Sequence, residues 1–366
     1  MQENKIKVAI THGDINGIGY EVILKAFSDP RITEICTPVI YGSPKVMAYH
    51  RKTLELPSIN YSIINSASEA AENRINIVNC VDEELKVELG KPTAAAGEAA
   101  FLALKRASEE YEKGLFDVFV TAPINKETIQ SSEFEFPGHT EFFQEKLGKG
   151  RKAMMILLKD SLRVALVTGH IPLSNVASAI NKTDLINKIK AFHNTLTIDF
   201  GLQKPRIAVL ALNPHAGDGG VIGTEEQEII IPALKQTQEM GIMSFGPFPA
   251  DGFFGAGQFA KYDGILAMYH DQGLAPFKTL AMDLGVNYTA GLPVIRTSPA
   301  HGTAYDIAGQ NKASEESFLQ ALYLAIDVFK SRKRYFEAKA NPLRKQYFDK
   351  GNDNEVLNLK GDDSVE

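Results

Sequence analysis

Short apolar runs rich in Val, Ile and Phe recur along the chain, and longer stretches with apolar residues at helical spacing lie between them. The runs predict strands at KIKVAIT (5–11), TPVIYG (37–42), INIVNCV (75–81), DVFVTAP (117–123), RVALVTG (163–169), RIAVLAL (206–212), GILAMY (264–269) and PVIRTS (293–298). The clearest helix is TAAAGEAAFLALKRASEEYEKG (93–114), with Gly114 as its stop signal. Strands alternating with helices predict an α/β fold with a mostly parallel sheet. No internal repeat is visible. The polar stretch from 350 to 366 has no apolar face and reads as a tail.

Ligands of open α/β sheets bind beyond the carboxyl ends of the strands. Those ends carry THGDINGIG, TAPINKE, TGHIPL, NPHAGDGG and YHDQG. His170, His215 and His270 each follow a separate strand. Their recurrence favours a metal site with three protein ligands and an open position over three unrelated loop histidines, although the spacing is no compact metal motif. PGHTEFFQEKLG (137–148) leads into a helix expected to start near Glu141. Its N-terminus, with His139 and Thr140, could take an anion, but Thr140 as an ordinary N-cap explains the spacing better. Gly13, Gly17 and Gly19 form a strand–loop–helix turn that fits neither GxGxxG nor a P-loop. Lys278, Asn287 and Arg296 lie among apolar residues, where the two cations suit a phosphate or carboxylate, or are solvated charges. His301, Thr303 and Asp306 share the small-residue loop HGTAYDIAG, which suits adenosine contacts or a tight turn. In YHDQGLAPFK (269–278), Gly273 and Pro276 are expected to bend the chain so that Lys278 returns to the cleft rather than following a helix. Asp271 should face the same cleft.

Composition narrows the class. A chain of 366 residues that is 44% hydrophobic exceeds the commonest single-domain size, so two lobes are expected. A net charge of −6 argues against nucleic acid, which needs a basic face. No apolar run approaches membrane-spanning length, so no membrane partner is expected. The N-terminus lacks a signal-peptide core, and Cys36 and Cys80 form no disulfide framework; both features suit the cytoplasm.

The stretches GDINGIGYE, GKPTAAAGEAAFLAL, PGHTEFF, NPHAGDGGVIGTEE, YDGILAMYHDQGLAPFK and GVNYTAGLPVIRTSPAHGTAYDIAG run in an order that resembles the 4-hydroxythreonine-4-phosphate dehydrogenases of vitamin B6 synthesis. The first glycine loop and HGTAYDIAG are also similar to the wider isocitrate and isopropylmalate dehydrogenases. The resemblance implies an isocitrate/isopropylmalate dehydrogenase-like fold of two α/β/α lobes with the active-site cleft between them. It divides the chain into 1–125 plus 285–345, a second lobe 126–284 carrying a homodimer interface, and a tail 346–366. It implies oxidation of 4-phosphooxy-L-threonine by NAD or NADP, then decarboxylation to 3-amino-2-oxopropyl phosphate. By resemblance His170, His215 and His270 bind a divalent metal, zinc first, with magnesium or cobalt as alternatives. His139, Thr140, Lys278, Asn287 and Arg296 contact the phosphorylated substrate. Asp251 and Asp271 sit at acidic catalytic positions, and Gly17, Gly19, His301, Thr303 and Asp306 lie on the nicotinamide cofactor's side. Ile15 and Asn16 stand where the family usually has Pro-Ala, Tyr20 where it has proline, and Gly169 where it commonly has threonine. Two other functions compete: a dehydrogenase of erythronate or threonate 4-phosphate with the same fold, and a non-catalytic protein that binds a phosphorylated metabolite.

Overall fold

The computed structural model describes residues 5–82 and 84–341, so the tail expected over 346–366 lies outside the described residues. The strands are Lys7–Thr11 (β1), Thr37–Gly42 (β2), Tyr61–Ile64 (β3), Ile75–Asn79 (β4), Val118–Thr121 (β5), Met154–Lys159 (β6), Leu162–Leu166 (β7), Ile207–Leu210 (β8), Ser244–Phe248 (β9), Gly264–Ala267 (β10), Val286–Ala290 (β11) and Arg296–Pro299 (β12). They form one 12-stranded sheet in the order β3-β4-β2-β1-β5-β12-β11-β6-β7-β10-β8-β9. Pairing is parallel except at the centre, where β11 runs antiparallel to both β12 and β6, and β6 to β7. The mixed α/β fold with a mostly parallel sheet is the one expected. All eight expected strands form, most of them with shortened or shifted ends, and β3, β6, β9 and β11 are additional.

The Ala94–Glu112 helix also forms where its pattern places it. The Thr93 hydroxyl accepts from the Ala96 N–H at its start, and Gly114 follows its end with φ +69°. The two faces of the sheet differ. On one, a single apolar cluster extends from Val8 and Ile10 to Val209 and Leu266, covered by the Lys182–Ile198 and Glu316–Ala340 helices. On the other, two smaller clusters remain separate. One packs the Ala94–Glu112 helix on β1, β2 and β5; the other packs the His270–Ala281 helix on β7, β8 and β10. The gap between them holds the site.

Candidate active site

A cavity of about 230 Å3 occupies that gap. Register builds its floor. Asn287 lies opposite Ser298 and Leu157, while Thr289 lies opposite Arg296 and Met155. Side chains of neighbouring strands in register share a face, and Met155, Leu157, Asn287, Arg296 and Ser298 all line the cavity.

Arg296 is 2% exposed. Its Nε and Nη2 donate to Thr121 Oγ1 at 3.0 and 2.6 Å, Nη1 to Thr289 Oγ1 at 3.2 Å, and Nη2 to His139 Nδ1 at 3.0 Å. These partners are all neutral, and Glu141 acts on the guanidinium only through space. Burial pushes Arg296 down to about 9, which still leaves it protonated at neutral pH. A guanidinium has no acceptor, so His139 Nδ1 must be the bare nitrogen and Nε2 must carry the proton. That Nε2 is buried without a partner. Burial first, then the charges of Arg296 and Lys126, hold His139 well below the usual imidazole range. The result is a neutral N–H donor and a buried cation, side by side on one cavity, with no anion in contact.

His139 opens the His139–Leu147 helix, and Gly138 is its N-cap without a side-chain bond. The Thr140 cap and the start near Glu141 are therefore corrected: the helix begins two residues earlier, and this turns His139 and Thr140 into its first turn, where both line the cavity.

On the opposite wall the stretch after β10 is a helix, His270–Ala281, with Pro276 inside it. The expected bend at Gly273 and Pro276 is not there. Gly273 serves packing instead, since a Cβ at that position would lie 2.9 Å from Ala267 Cβ and Val164 Cγ1. Lys278 nevertheless lines the cavity with His270 and Leu274, because positions four apart share a helix face.

The His170 and His270 rings stand 5.6 Å apart, centroid to centroid. His270 Nδ1 is 2.6 Å from Asp271 Oδ1. An ionised carboxylate only accepts, so Nδ1 carries the proton and Nε2 presents its lone pair. Asp271 is itself 84% exposed and does not line the cavity, contrary to expectation; the ring of His270 is its contact with the site. His170 Nδ1 lies 3.9 Å from Glu141 Oε1. That contact, ahead of the cost of burial, holds the Glu141 carboxyl below its usual range.

His215 does not join this pair. It stands exposed on a run of left-handed residues, His215–Gly219, with φ between 44° and 78°. The run is anchored by buried Glu226, which accepts from the Leu212 and Asn213 N–H groups at 2.8 Å each. Asp251, exposed in the Ala250–Gly255 helix, also lies off the cavity. Among the described residues of one chain, no group of three or more His, Cys, Asp or Glu is placed to hold a metal ion. The two converging imidazoles, one already oriented by a carboxylate, fit two positions of such a site.

The glycine loop packs against the other end of the chain. A Cβ on Gly17 would lie 2.7 Å from Thr303 O, and one on Gly19 would lie 2.3 Å from His12 O. Ile18 N–H donates to Thr303 O at 3.0 Å, and Tyr305 Oη to Asp14 Oδ2 at 2.7 Å. These two glycines thus serve close packing. His301 lines the cavity with its Nε2 buried and unpartnered, whereas Asp306 is exposed. Asn16, one of the departures from the family pattern, is buried and bonded to Lys91 O, Thr93 Oγ1 and the Glu88 N–H. Tyr20, another, stacks between His12 and His50.

Lys126, Glu141 and Ser298 also line the cavity, and the sequence alone did not single them out. Ser298 could have been found from Arg296, two residues away on the same strand. Glu141 could have been found as the acidic residue of a helix first turn that faces the histidines.

Comparison with known proteins agrees with this geometry. The model of the family "Pyridoxal phosphate biosynthetic protein PdxA" matches residues 34–325. A 4-hydroxythreonine-4-phosphate dehydrogenase from Bacteroides thetaiotaomicron is 64% identical over 98% of this chain and 98% of its own. A relative from Oceanobacillus iheyensis, provisionally named D-threonate 4-phosphate dehydrogenase, is 37% identical over 88% of this chain and 97% of its own. The crystal structure of a 4-hydroxythreonine-4-phosphate dehydrogenase from Klebsiella pneumoniae superposes with a TM-score of 0.76 at 34% identity, covering 89% of this chain and 98% of that one. The chain belongs to the pyridoxal phosphate biosynthetic protein PdxA family of dehydrogenases.

Proposed function

We propose that the protein oxidises the C3 hydroxyl of 4-phosphooxy-L-threonine with NAD or NADP, and that the β-keto acid formed loses CO2 to give 3-amino-2-oxopropyl phosphate. The observation that carries this reading is the buried, uncompensated Arg296 beside the orphaned Nε2–H of His139, across the cavity from the His170–His270 pair. A desolvated cation with only neutral partners calls for an anion, and charge-assisted bonds to phosphate are strong. His139 Nε2 donates to the phosphate, Arg296 neutralises it, and Lys278, Thr140 and Asn287 complete the anion contacts. Binding energy at this remote group fixes the reacting carbon before the histidine pair. Asp271 holds His270 in the tautomer that turns Nε2 inward.

A divalent ion held by His170 and His270 would supply a Lewis-acid charge beside the oxygen being oxidised, and nicotinamide the hydride acceptor. The third ligand in this reading is His215 of a second copy, in a homodimer. Ile171, Leu173, Val221 and Ile222 support it: these apolar side chains are exposed on the same loops that carry His170 and His215. The lobes 1–125 plus 285–345 and 126–284 would then flank the cavity. Among the described residues no helix is long and apolar enough to cross a membrane, and the free thiols Cys36 and Cys80 suit a cytoplasmic enzyme.

The test is NADH or NADPH formation from 4-phosphooxy-L-threonine with zinc, magnesium or cobalt supplied. A companion His139→Ala variant should lose kcat/KM far more for the phosphorylated substrate than for 4-hydroxy-L-threonine. No turnover with any metal and either nicotinamide would leave the binding-protein reading in its place.

A further inference from the structure

A second cavity, of about 940 Å3, shares no lining residue with the first. It lies between the start of β6, the ends of β7 and β11, and the Lys182–Ile198 and Glu316–Ala340 helices that cover the other face of the sheet. Nothing in the reaction proposed above uses it. Asp184, Lys188, Ala191, Thr195 and Ile198 line it from one stripe of the first helix, three or four positions apart. Its charge is one-sided. Arg332 and Asp199 on its wall satisfy each other. That leaves Arg151, Lys152 and Lys188 against the single carboxylate of Asp184, which already accepts from Asn181 Nδ2 at 2.7 Å. Among the described residues, none of these three cations makes a side-chain hydrogen bond or an ion pair.

The three cations are not equivalent. Arg151 and Lys152 are exposed, whereas Lys188 is half-buried. Burial first, then the neighbouring Lys152, hold the Lys188 ammonium below the usual lysine range. A desolvated amine beside another cation is a nucleophile towards carbonyl carbon. Gly291, at φ +82°, lets the end of β11 approach the Lys152 carbonyl oxygen, where a Cβ would stand 2.6 Å away; this keeps Lys152 beside the wall. Buried Met154 and Leu292, and the ring of Phe336, 60% exposed, supply an apolar surface. We propose that this cavity is a second binding site, for a planar aldehyde that carries a phosphate, and that Lys188 captures the aldehyde as an imine. Arg151 and Lys152 take the phosphate, and the ring lies on the apolar wall. The Lys188 Nζ lone pair attacks the aldehyde carbon and the C=O electron pair moves to oxygen. That oxygen leaves as water with the two amine protons, so a C=N bond replaces C=O and no oxidant is needed. Exposed cations alone hold an anion weakly. Inorganic phosphate, which has neither ring nor aldehyde, should therefore fill the first cavity and not this one.

The experiment uses the full chain and two probes: pyridoxal 5'-phosphate, which has the ring, the aldehyde and the phosphate, and pyridoxal, which lacks the phosphate. Each is titrated, the imines are reduced with borohydride, and the labelled lysines are mapped by mass spectrometry. Lys188 should be labelled at a lower concentration of pyridoxal 5'-phosphate than exposed lysines such as Lys146 and Lys235. Pyridoxal should need roughly tenfold more or higher, since a charge-assisted contact is missing. Lys152→Ala should weaken labelling of Lys188 by the phosphate-bearing probe and leave pyridoxal unaffected. Lys126 and Lys278 flank the first cavity, so the titration is repeated on Arg296→Met, where labelling of Lys188 should be unchanged. Labelling of Lys188 no earlier than the exposed lysines would mean adventitious modification only and would overturn the proposal. So would first labelling at Lys126 or Lys278 with Lys188 bare. Equal potency of the two probes at Lys188 would overturn it too, because Arg151 and Lys152 would then hold no phosphate.

Discussion

Two arginines are buried against the central strands, and they are treated in opposite ways. Arg332, on the Glu316–Ala340 helix, is 15% exposed and finds a carboxylate. Its Nε donates to Asp199 Oδ1 at 2.6 Å, and Nη2 donates to Tyr288 Oη at 3.0 Å. Nη1 caps Pro293 O at 2.8 Å, and Tyr288 Oη donates to Asp199 Oδ2 at 2.6 Å. Charge, hydrogen bonds and geometry close on themselves, and the network fastens two helices to β11. Arg296, on the other side of the same strands, is more deeply buried and has only hydroxyls and an imidazole. Where the chain needs a counter-ion for folding it supplies one. Where it withholds one from the more deeply buried Arg296, the charge calls for an anion from a ligand.

This contrast breaks most sharply at Asp199. In Asp199→Ala the Arg332 guanidinium is left inside without its anion, and the fold should lose about 3–5 kcal/mol, read from the denaturant midpoint. Activity per folded molecule should stay within a few-fold. Arg296→Met should show the reverse. Its kcat/KM for the phosphorylated substrate should fall by roughly 100- to 1,000-fold, since a desolvated charge contact is lost. Its stability should be unchanged or higher, because a lone buried cation is removed from the free protein. A marked destabilisation of Arg296→Met would make the two arginines alike and remove the case for an anion site.

Inorganic phosphate sharpens the same point without catalysis. At tenfold excess over its Kd it should stabilise wild type by about 1.4 kcal/mol, visible as a rise in Tm. Arg296→Met should show no rise, and Asp199→Ala should retain it. Lys278→Ala should keep part of the effect, since its ammonium lines the cavity from an exposed position on the opposite wall.

The contrast also explains what could be read beforehand. The α/β class and eight strands were legible because buried parallel strands are continuous apolar runs. β11 was missed because VNYTA mixes Asn287 and Thr289 into the run; these polar residues face the site and its arginine, so the demands of the site erased the strand's signature. β6, MMILLK, is a continuous apolar run but holds one β-branched residue, Ile156, so its pattern does not separate it from a buried helix segment, and β9, SFGPF, carries a glycine and a proline. Which strand ends border the cavity was legible in part: the loops with Lys126, His170 and His270 reach it, and those with Gly17 and His215 do not. The direction of each loop was not: His170 and His270 converge, whereas the left-handed turn at His215 and the short helix at Asp251 carry those side chains elsewhere. The helical path of YHDQGLAPFK was hidden by its glycine and proline, which suggested a bend, although Gly273 is there for contact with the sheet.

The smallest effect tests whether Arg296 is charged in the empty site. His139 is held below the usual imidazole pKa by burial first and by Arg296 next. In the unfolded chain it titrates near pH 6.5. Between that pH and its lower folded value, the unfolded state binds a proton that the folded state refuses, so stability falls as the solution is acidified through that window. His12 and His50, each pushed by burial down to about 4, add to the same acid loss and are identical in wild type and variant. The difference between the two proteins therefore isolates the pair His139–Arg296. Removing the guanidinium in Arg296→Met relieves the second cause and leaves the first. His139 should then titrate higher, and the loss of stability from pH 7 to pH 5 should be smaller in the variant, by no more than about 1.4 kcal/mol for each unit of pKa recovered. The measurement is a pair of urea unfolding curves at the two pH values for each protein. Equal acid losses would mean that the guanidinium contributes no positive charge to the imidazole it touches, and the anion site would lose its electrostatic basis.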